Sequence, residues 1–121
     1  VEGVCRDALA PQQGLFTLAE RDANGETLRI PGALLSAEFA GDGSAALEAQ
    51  IAHPATRIVS LTITEKGYAG SGPNDALPTL LRGLAQRQAL GLPGVTVMSL
   101  DNLSRNGEHT RLRLLALGEA Q

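Results

Sequence analysis

The sequence predicts an α/β fold built on a mainly parallel sheet, with an antiparallel hairpin at one edge. Three observations carry this. Residues 57–64 and 95–100 are β-branched apolar runs that alternate with Leu/Ala-rich helical segments. That order gives parallel strands through right-handed crossovers. Asn24-Gly25 lies between two short alternating runs, a hairpin signal because both residues tolerate positive φ. Aromatic side chains are scarce, with only Phe16, Phe39 and Tyr68 present. The core must therefore come from Leu, Val, Ile and Ala, the mix that suits parallel strands covered by helices.

Taken in order, residues 1–4 are an apolar stub, and residues 6–10 have helical composition that should stop at Pro11, which cannot continue a helix interior. Residues 15–19 and 27–30 are the two arms of the hairpin. Residues 33–39 form a further candidate strand, broken by Gly41-Asp42-Gly43-Ser44. Ser44 is a suitable cap for a helix through Ile51. Residues 57–64, with Ile58, Val59, Leu61 and Ile63, make the clearest strand. A loop is expected over 67–73. Leu77, Leu80, Leu81, Leu84 and Ala85 recur at helical spacing over 75–90, and Gly91 closes that helix. Residues 95–100 are the second buried strand and 106–117 the last helix.

A chain of 121 residues holds one domain. Ten basic and 13 acidic residues leave a net charge of −3. They are interspersed, with no basic stripe carrying aromatics, which argues against nucleic-acid binding. No apolar run approaches the roughly 20 residues a membrane helix needs, and no signal peptide is visible; no membrane partner is expected. Cys5 is the only cysteine, so no internal disulfide forms, which is compatible with a reducing compartment, and a cytoplasmic location is expected. The chain opens on Val1, so processing, excision or loss of its first residues is expected.

Four groups of residues are candidates for chemistry. Gly41-Asp42-Gly43-Ser44-Ala45-Ala46 fits the loose pattern G-x-G-x-x-A. Asp42 would set a carboxylate beside a pyrophosphate, however, and the run before it lacks the apolar density of a central strand, so it reads as a loop ending in a helix cap. Thr64-Glu65-Lys66-Gly67-Tyr68 follows the best strand at its carboxyl end, where ligands bind in open α/β sheets. The same residues are also compatible with an ordinary strand end bearing a solvated Glu–Lys pair. Asp101-Asn102-Leu103 follows the second buried strand. Asn102 can donate a neutral hydrogen bond to a developing alkoxide, or serve as a turn residue. His53 and His109 have no Cys or His neighbours at ligand spacing, so they read as surface residues and no metal site is expected.

Residues 57–68, then 91–103 with Ser99-Leu100-Asp101-Asn102, then Asn106-Gly107, together resemble the long-chain mannitol dehydrogenase family, which includes mannitol 2-dehydrogenase, arabinitol dehydrogenase and fructuronate reductase. Residues 6–12 and 15–18 match the same family's amino-terminal domain, so the resemblance covers nearly the whole chain. It implies an incomplete Rossmann-type doubly wound sheet. It also implies hydride transfer between NAD or NADP and a polyol or sugar acid. The family's T-E-x-G-Y segment falls on Thr64 to Tyr68, placing Thr64 and Glu65 near the cofactor. Its S-C-D-N asparagine falls on Asn102, which is expected to hold the reacting oxygen. Lys66, where polyol dehydrogenases often carry glycine, is closer to the fructuronate reductase branch.

The departures from the family pattern shape the reading. The glycine-rich first strand is missing, since the chain starts near the family's second strand. The acidic loop that helps choose NAD over NADP is shortened or missing between Val4 and Arg6, and the loop after Tyr68 is short. Leu100 stands where the family has cysteine. The carboxyl-terminal domain, with its catalytic lysine, is absent, and Lys66 matches a different motif. The expectation is therefore a partial cofactor domain over residues 1–121 that needs the missing parts of the same parent chain. The alternative is a non-catalytic, partner-binding or structural remnant of the family.

Overall fold

The computed structural model describes residues 7–69, 72 and 75–120. Expectations that fall on Val1 to Val4, Cys5, Arg6, Gly70, Ser71 and Pro73 lie outside the described residues. The chain divides into two compact units, Val1–Asp42 and Gly43–Gln121.

In the first unit, residues 7–9 are helical and run into a 3-10 turn, Ala10–Gln12. The α-helical residues end before Pro11, as expected, and Pro11 falls at the start of the 3-10 segment, where its missing amide costs no bond. Gln13 and Gly14 then take left-handed angles, φ 53° and 77°. A Cβ on Gly14 would lie 2.2 Å from the Leu34 carbonyl oxygen, so only glycine fits there.

The hairpin pairs β1 (Leu18–Asp22) with β2 (Gly25–Arg29), antiparallel, with Leu18 opposite Arg29 and Asp22 opposite Gly25. Its turn is Ala23-Asn24, one residue earlier than the sequence suggests. The Asp22 carboxylate accepts the Asn24 amide at 2.7 Å, and the positive angle falls on Gly25, φ 137°. This register explains why β1 starts at Leu18 and not Leu15. Extending the ladder would set Phe16 against Pro31, which has no amide to donate. Residues 33–39, expected as a strand, join no ladder among the described residues. The Leu34 carbonyl lies against Gly14 and not against a strand partner.

The second unit runs α1 (Ala45–Ala52), β3 (Ile58–Leu61), α2 (Glu65–Ala69), α3 (Ala76–Ala89), β4 (Thr96–Ser99) and α4 (Asn106–Glu119). β3 and β4 pair in parallel, with Ile58 opposite Thr96 and Leu61 opposite Ser99, as the sequence predicts. The loop expected over 67–73 begins instead as α2, which takes in Gly67, Tyr68 and Ala69. Gly91 ends α3 as expected: its φ is 65°, and Leu92 N–H reaches back to the Arg87 carbonyl at 3.0 Å.

The core gathers Leu61, Tyr68, Leu77 and Leu80, flanked by Val59, Val97, Leu103 and Leu114. Alternation along the strands turns Val59, Leu61 and Val97 inward. Ile58 and Met98 face outward and are exposed, at 59% and 41%. α1 packs closely on α3 because Gly83 has no side chain. A Cβ there would stand 2.7 Å from Ile51 Cβ.

Two polar clusters fix α1 to α3. Arg87 is fully buried and donates to the carbonyls of Ile51, His53 and Pro93 at 2.7–3.0 Å. It thus ties the end of α1 to the approach of β4, and a cation at a helix carboxyl terminus also meets the negative end of its dipole. Ser44 occupies the cap position of α1, but its hydroxyl does not bond a backbone amide. It donates to Glu48 Oε1 at 2.6 Å and accepts from Arg82 at 2.7 Å. Glu48 also accepts from Arg82 Nε at 2.7 Å and Gln86 at 3.0 Å. The Ser44 hydroxyl first, then Arg82, hold the Glu48 carboxyl below its ordinary value, against a smaller opposing effect of burial.

Candidate functional site

The parallel pairing of β3 and β4 brings both carboxyl ends to one edge. Beyond them the chain opens a pocket of about 310 Å³, lined by Thr62, Ile63 and Thr64 after β3, Tyr68 on α2, and Asp101, Asn102 and Leu103 after β4. Two segments singled out in the sequence thus meet at one cleft.

Thr64 and Asn102 are exposed on this cleft. Glu65 opens α2; its side chain lies outside what the structure describes. Among the described residues, no hydrogen bond engages the Asn102 side chain, so its amide is available to a ligand as donor or acceptor. None of the described lining residues is His, Lys or Cys, and no group of three or more His, Cys, Asp or Glu among the described residues could hold a metal. His53 and His109 are exposed, as expected. Among the described residues the pocket offers the hydroxyls of Thr62, Thr64 and Tyr68, the Asn102 amide and the Asp101 carboxylate beside apolar Ile63 and Leu103. Such a wall can bind and orient a polar ligand, and its one described carboxylate, Asp101, is engaged by the Tyr68 hydroxyl.

The backbone around Asn102 is tightly held. Asn106 Nδ2 donates to the carbonyls of Asp101 at 2.8 Å and Ser99 at 3.2 Å. Leu103 N–H closes onto the Asp101 carbonyl at 2.8 Å, and Asn106 N–H onto Leu103 at 3.2 Å. The sequence did not reveal the second set of restraints. The Tyr68 hydroxyl is buried and donates to Asp101 Oδ2 at 2.7 Å, and it lies 2.7 Å from Ser99 Oγ and 3.4 Å from Thr110 Oγ1. Ser99 Oγ stands 3.1 Å from the same carboxylate oxygen. Arg113 Nε donates to the Tyr68 carbonyl at 2.7 Å. The available signal was the single tyrosine lying downstream of one strand and an aspartate downstream of the other, but only the fold shows that they touch.

The Gly41-Asp42-Gly43 run, read from the sequence as a loop ending in a helix cap, does not sit in a strand–turn–helix setting. Ala40–Asp42 is a 3-10 turn, and the residues before it form no strand. Among the described residues no helix is long and apolar enough to cross a membrane.

Comparison with known proteins places this architecture. Residues 1–121 match the model of the mannitol dehydrogenase Rossmann domain. The chain is 38% identical to a mannitol 2-dehydrogenase of Phaeosphaeria nodorum, over 96% of this chain and 24% of that enzyme. A mannitol 2-dehydrogenase of Aspergillus fumigatus is also 38% identical, over 91% of this chain and 26% of its own length. Pseudomonas fluorescens mannitol 2-dehydrogenase, solved as a ternary complex with NAD and D-mannitol, superposes with a TM-score of 0.80 at 38% identity, covering 95% of this chain and 28% of that one. A D-sorbitol dehydrogenase in substrate-free form gives a TM-score of 0.80 at 29% identity. The chain spans about a quarter of the length of the curated relatives it matches. By the match of its full length to the family's Rossmann domain, the chain belongs to the mannitol dehydrogenase family.

Proposed function

We propose that this chain is part of the cofactor domain of an NAD-dependent polyol dehydrogenase, whose other parts complete the active site. The observation that carries the reading is the pocket where β3 and β4 end together, with the Asn102 amide open to it. Crevices at the carboxyl ends of parallel strands are where α/β sheets bind nucleotides. A solved relative at 38% identity is a complex with NAD and D-mannitol, which supports both the cofactor and the substrate class.

The residues present fit one end of the dinucleotide. The hydroxyls of Thr62 and Thr64 and the apolar sides of Ile63 and Leu103 suit a ribose and a flat ring. The pyrophosphate needs backbone amides at a glycine-rich turn and helix start, and no described segment provides that setting. The dinucleotide, when bound, supplies the hydride chemistry. Asn102 contributes a neutral donor that stabilises negative charge on the substrate oxygen. The family's T-E-x-G-Y segment assigns Thr64 and Glu65 to the cofactor, and the general base comes from outside this chain.

The test is steady-state kinetics of the full-length protein with NAD⁺ or NADP⁺ against D-mannitol, D-sorbitol and D-arabinitol, and with the reduced cofactors against fructose and fructuronate. The expected result is saturable oxidation of a polyol with NAD⁺. Preference for fructuronate would move the substrate to the sugar-acid branch that Lys66 resembles. Absence of turnover on every pair would overturn the reading in favour of a non-catalytic module.

A further inference from the structure

We infer that Tyr68, together with Ser99, is a positioning residue that sets the Asn102 amide through the Asp101 carboxylate; this rests on the catalytic role proposed for Asn102. Asn102 is exposed and bonded to nothing among the described residues, so its own side chain does nothing to fix where its amide points. Its orientation must be inherited from the backbone on either side. That backbone is restrained twice. Asn106 grips the Ser99 and Asp101 carbonyls. The Asp101 side chain, one residue from Asn102, is gripped separately by the Tyr68 hydroxyl at 2.7 Å, with Ser99 Oγ at 3.1 Å.

The direction of the Tyr68 bond follows from proton count. A phenol has one proton and a carboxylate has none, so Tyr68 donates to Asp101, while the single Ser99 hydroxyl proton goes either to the same carboxylate or to the phenol oxygen. A bond to a charged acceptor is about twice as strong as a neutral one. The ring of Tyr68 is itself locked, in the core with Leu61, Leu77 and Leu80. Its carbonyl is tied to Arg113 on α4. The phenol thus carries the rigidity of the core to the turn that presents Asn102. It also bridges the segment after β3 to the segment after β4, fixing the two walls of the pocket relative to each other. Displacing a reacting group by about 1 Å can cost up to about a hundredfold in rate without touching substrate.

Two measurements on the full-length enzyme test this. Tyr68→Phe keeps the ring in the core and removes only the hydroxyl. Ser99→Ala, at the strand end, is a milder second variant in case Tyr68→Phe is poorly folded. The first readout is the nitrogen-15 and proton resonances of the Asn102 side-chain amide. Both variants are expected to shift and broaden them, with α3 amides unchanged. An Asn102 amide that keeps its resonances in both variants would overturn the inference, whatever the activity shows. The second readout is a double-mutant cycle. Tyr68→Phe is expected to lower kcat about tenfold or more with KM for NAD⁺ unchanged, yet less than about twofold in an Asn102→Ala background. An equal loss in both backgrounds would show that Tyr68 does not act through Asn102. Normal turnover in Asn102→Ala would instead remove the role proposed for Asn102, while the resonances still decide whether Tyr68 positions it.

Discussion

Glu48 illustrates how a single side chain is retained in this fold for its partners. It sits in the first turn of α1, where a negative charge meets the positive end of the helix dipole. The Ser44 hydroxyl, then Arg82 and Gln86, bond its carboxylate. Its pKa in the folded protein therefore lies below the ordinary 4.5. A carboxyl with a lowered folded pKa stabilises the native state at pH values above its unfolded pKa, and that contribution is lost as pH falls through the folded pKa. Stability of the protein is expected to decline below about pH 4.5 in part through this residue. Glu48→Gln should lower stability at neutral pH and flatten the acid limb of a stability-against-pH curve. An acid limb of unchanged slope in Glu48→Gln would assign the effect to other carboxylates. Arg87 is the complementary case. It is a buried cation paired with three carbonyls and no acid among the described residues, and nothing in the sequence distinguishes it from a surface arginine of α3.

At the scale of elements, the contact between α1 and α3 depends on what is missing from Gly83. A methyl group there would overlap Ile51, so Gly83→Ala should destabilise the protein by about 1–3 kcal/mol despite alanine's better helix propensity. Chemical denaturation would check it. A gain in stability would mean that the helices have room to part. Elements with their own periodicity were legible in the sequence: α3 from its leucine spacing and Gly91, β3 and β4 from their β-branched runs, and the parallel pairing from their order. Elements decided by contacts were not. The hairpin register follows from an Asp22–Asn24 bond and from Pro31. The apolar run at 33–39 has strand composition but no ladder partner. α2 replaces an expected loop because Tyr68 is drawn into the core. The cleft itself was half legible. Strand ends predicted where Thr64 and Asn102 would meet, while the Tyr68–Asp101 bond linking them is a long-range contact with no local signature.

At the scale of the molecule, the described residues of its own unit pack on one face of the β3–β4 sheet. Ile58, Ser60, Thr96 and Met98 lie on the other face, exposed. Parallel sheets are stable when both faces are covered and their edges paired. Residues 1–121 produced alone are therefore expected to self-associate and to bind NADH weakly, since neither the bare face nor the pyrophosphate site is complete. Light scattering against concentration, with NADH titration, measures both. A stable monomer that binds NADH tightly would show that the fold is self-sufficient.

The central claim is that the cleft at the ends of β3 and β4 is catalytic and that Asn102 acts in it. It is tested most directly by steady-state kinetics and melting of Asn102→Ala in the full-length enzyme. The predicted result is a loss of about a hundred- to a thousandfold in kcat, with KM for NAD⁺ and melting temperature nearly unchanged. Near-normal turnover in a well-folded variant would contradict it.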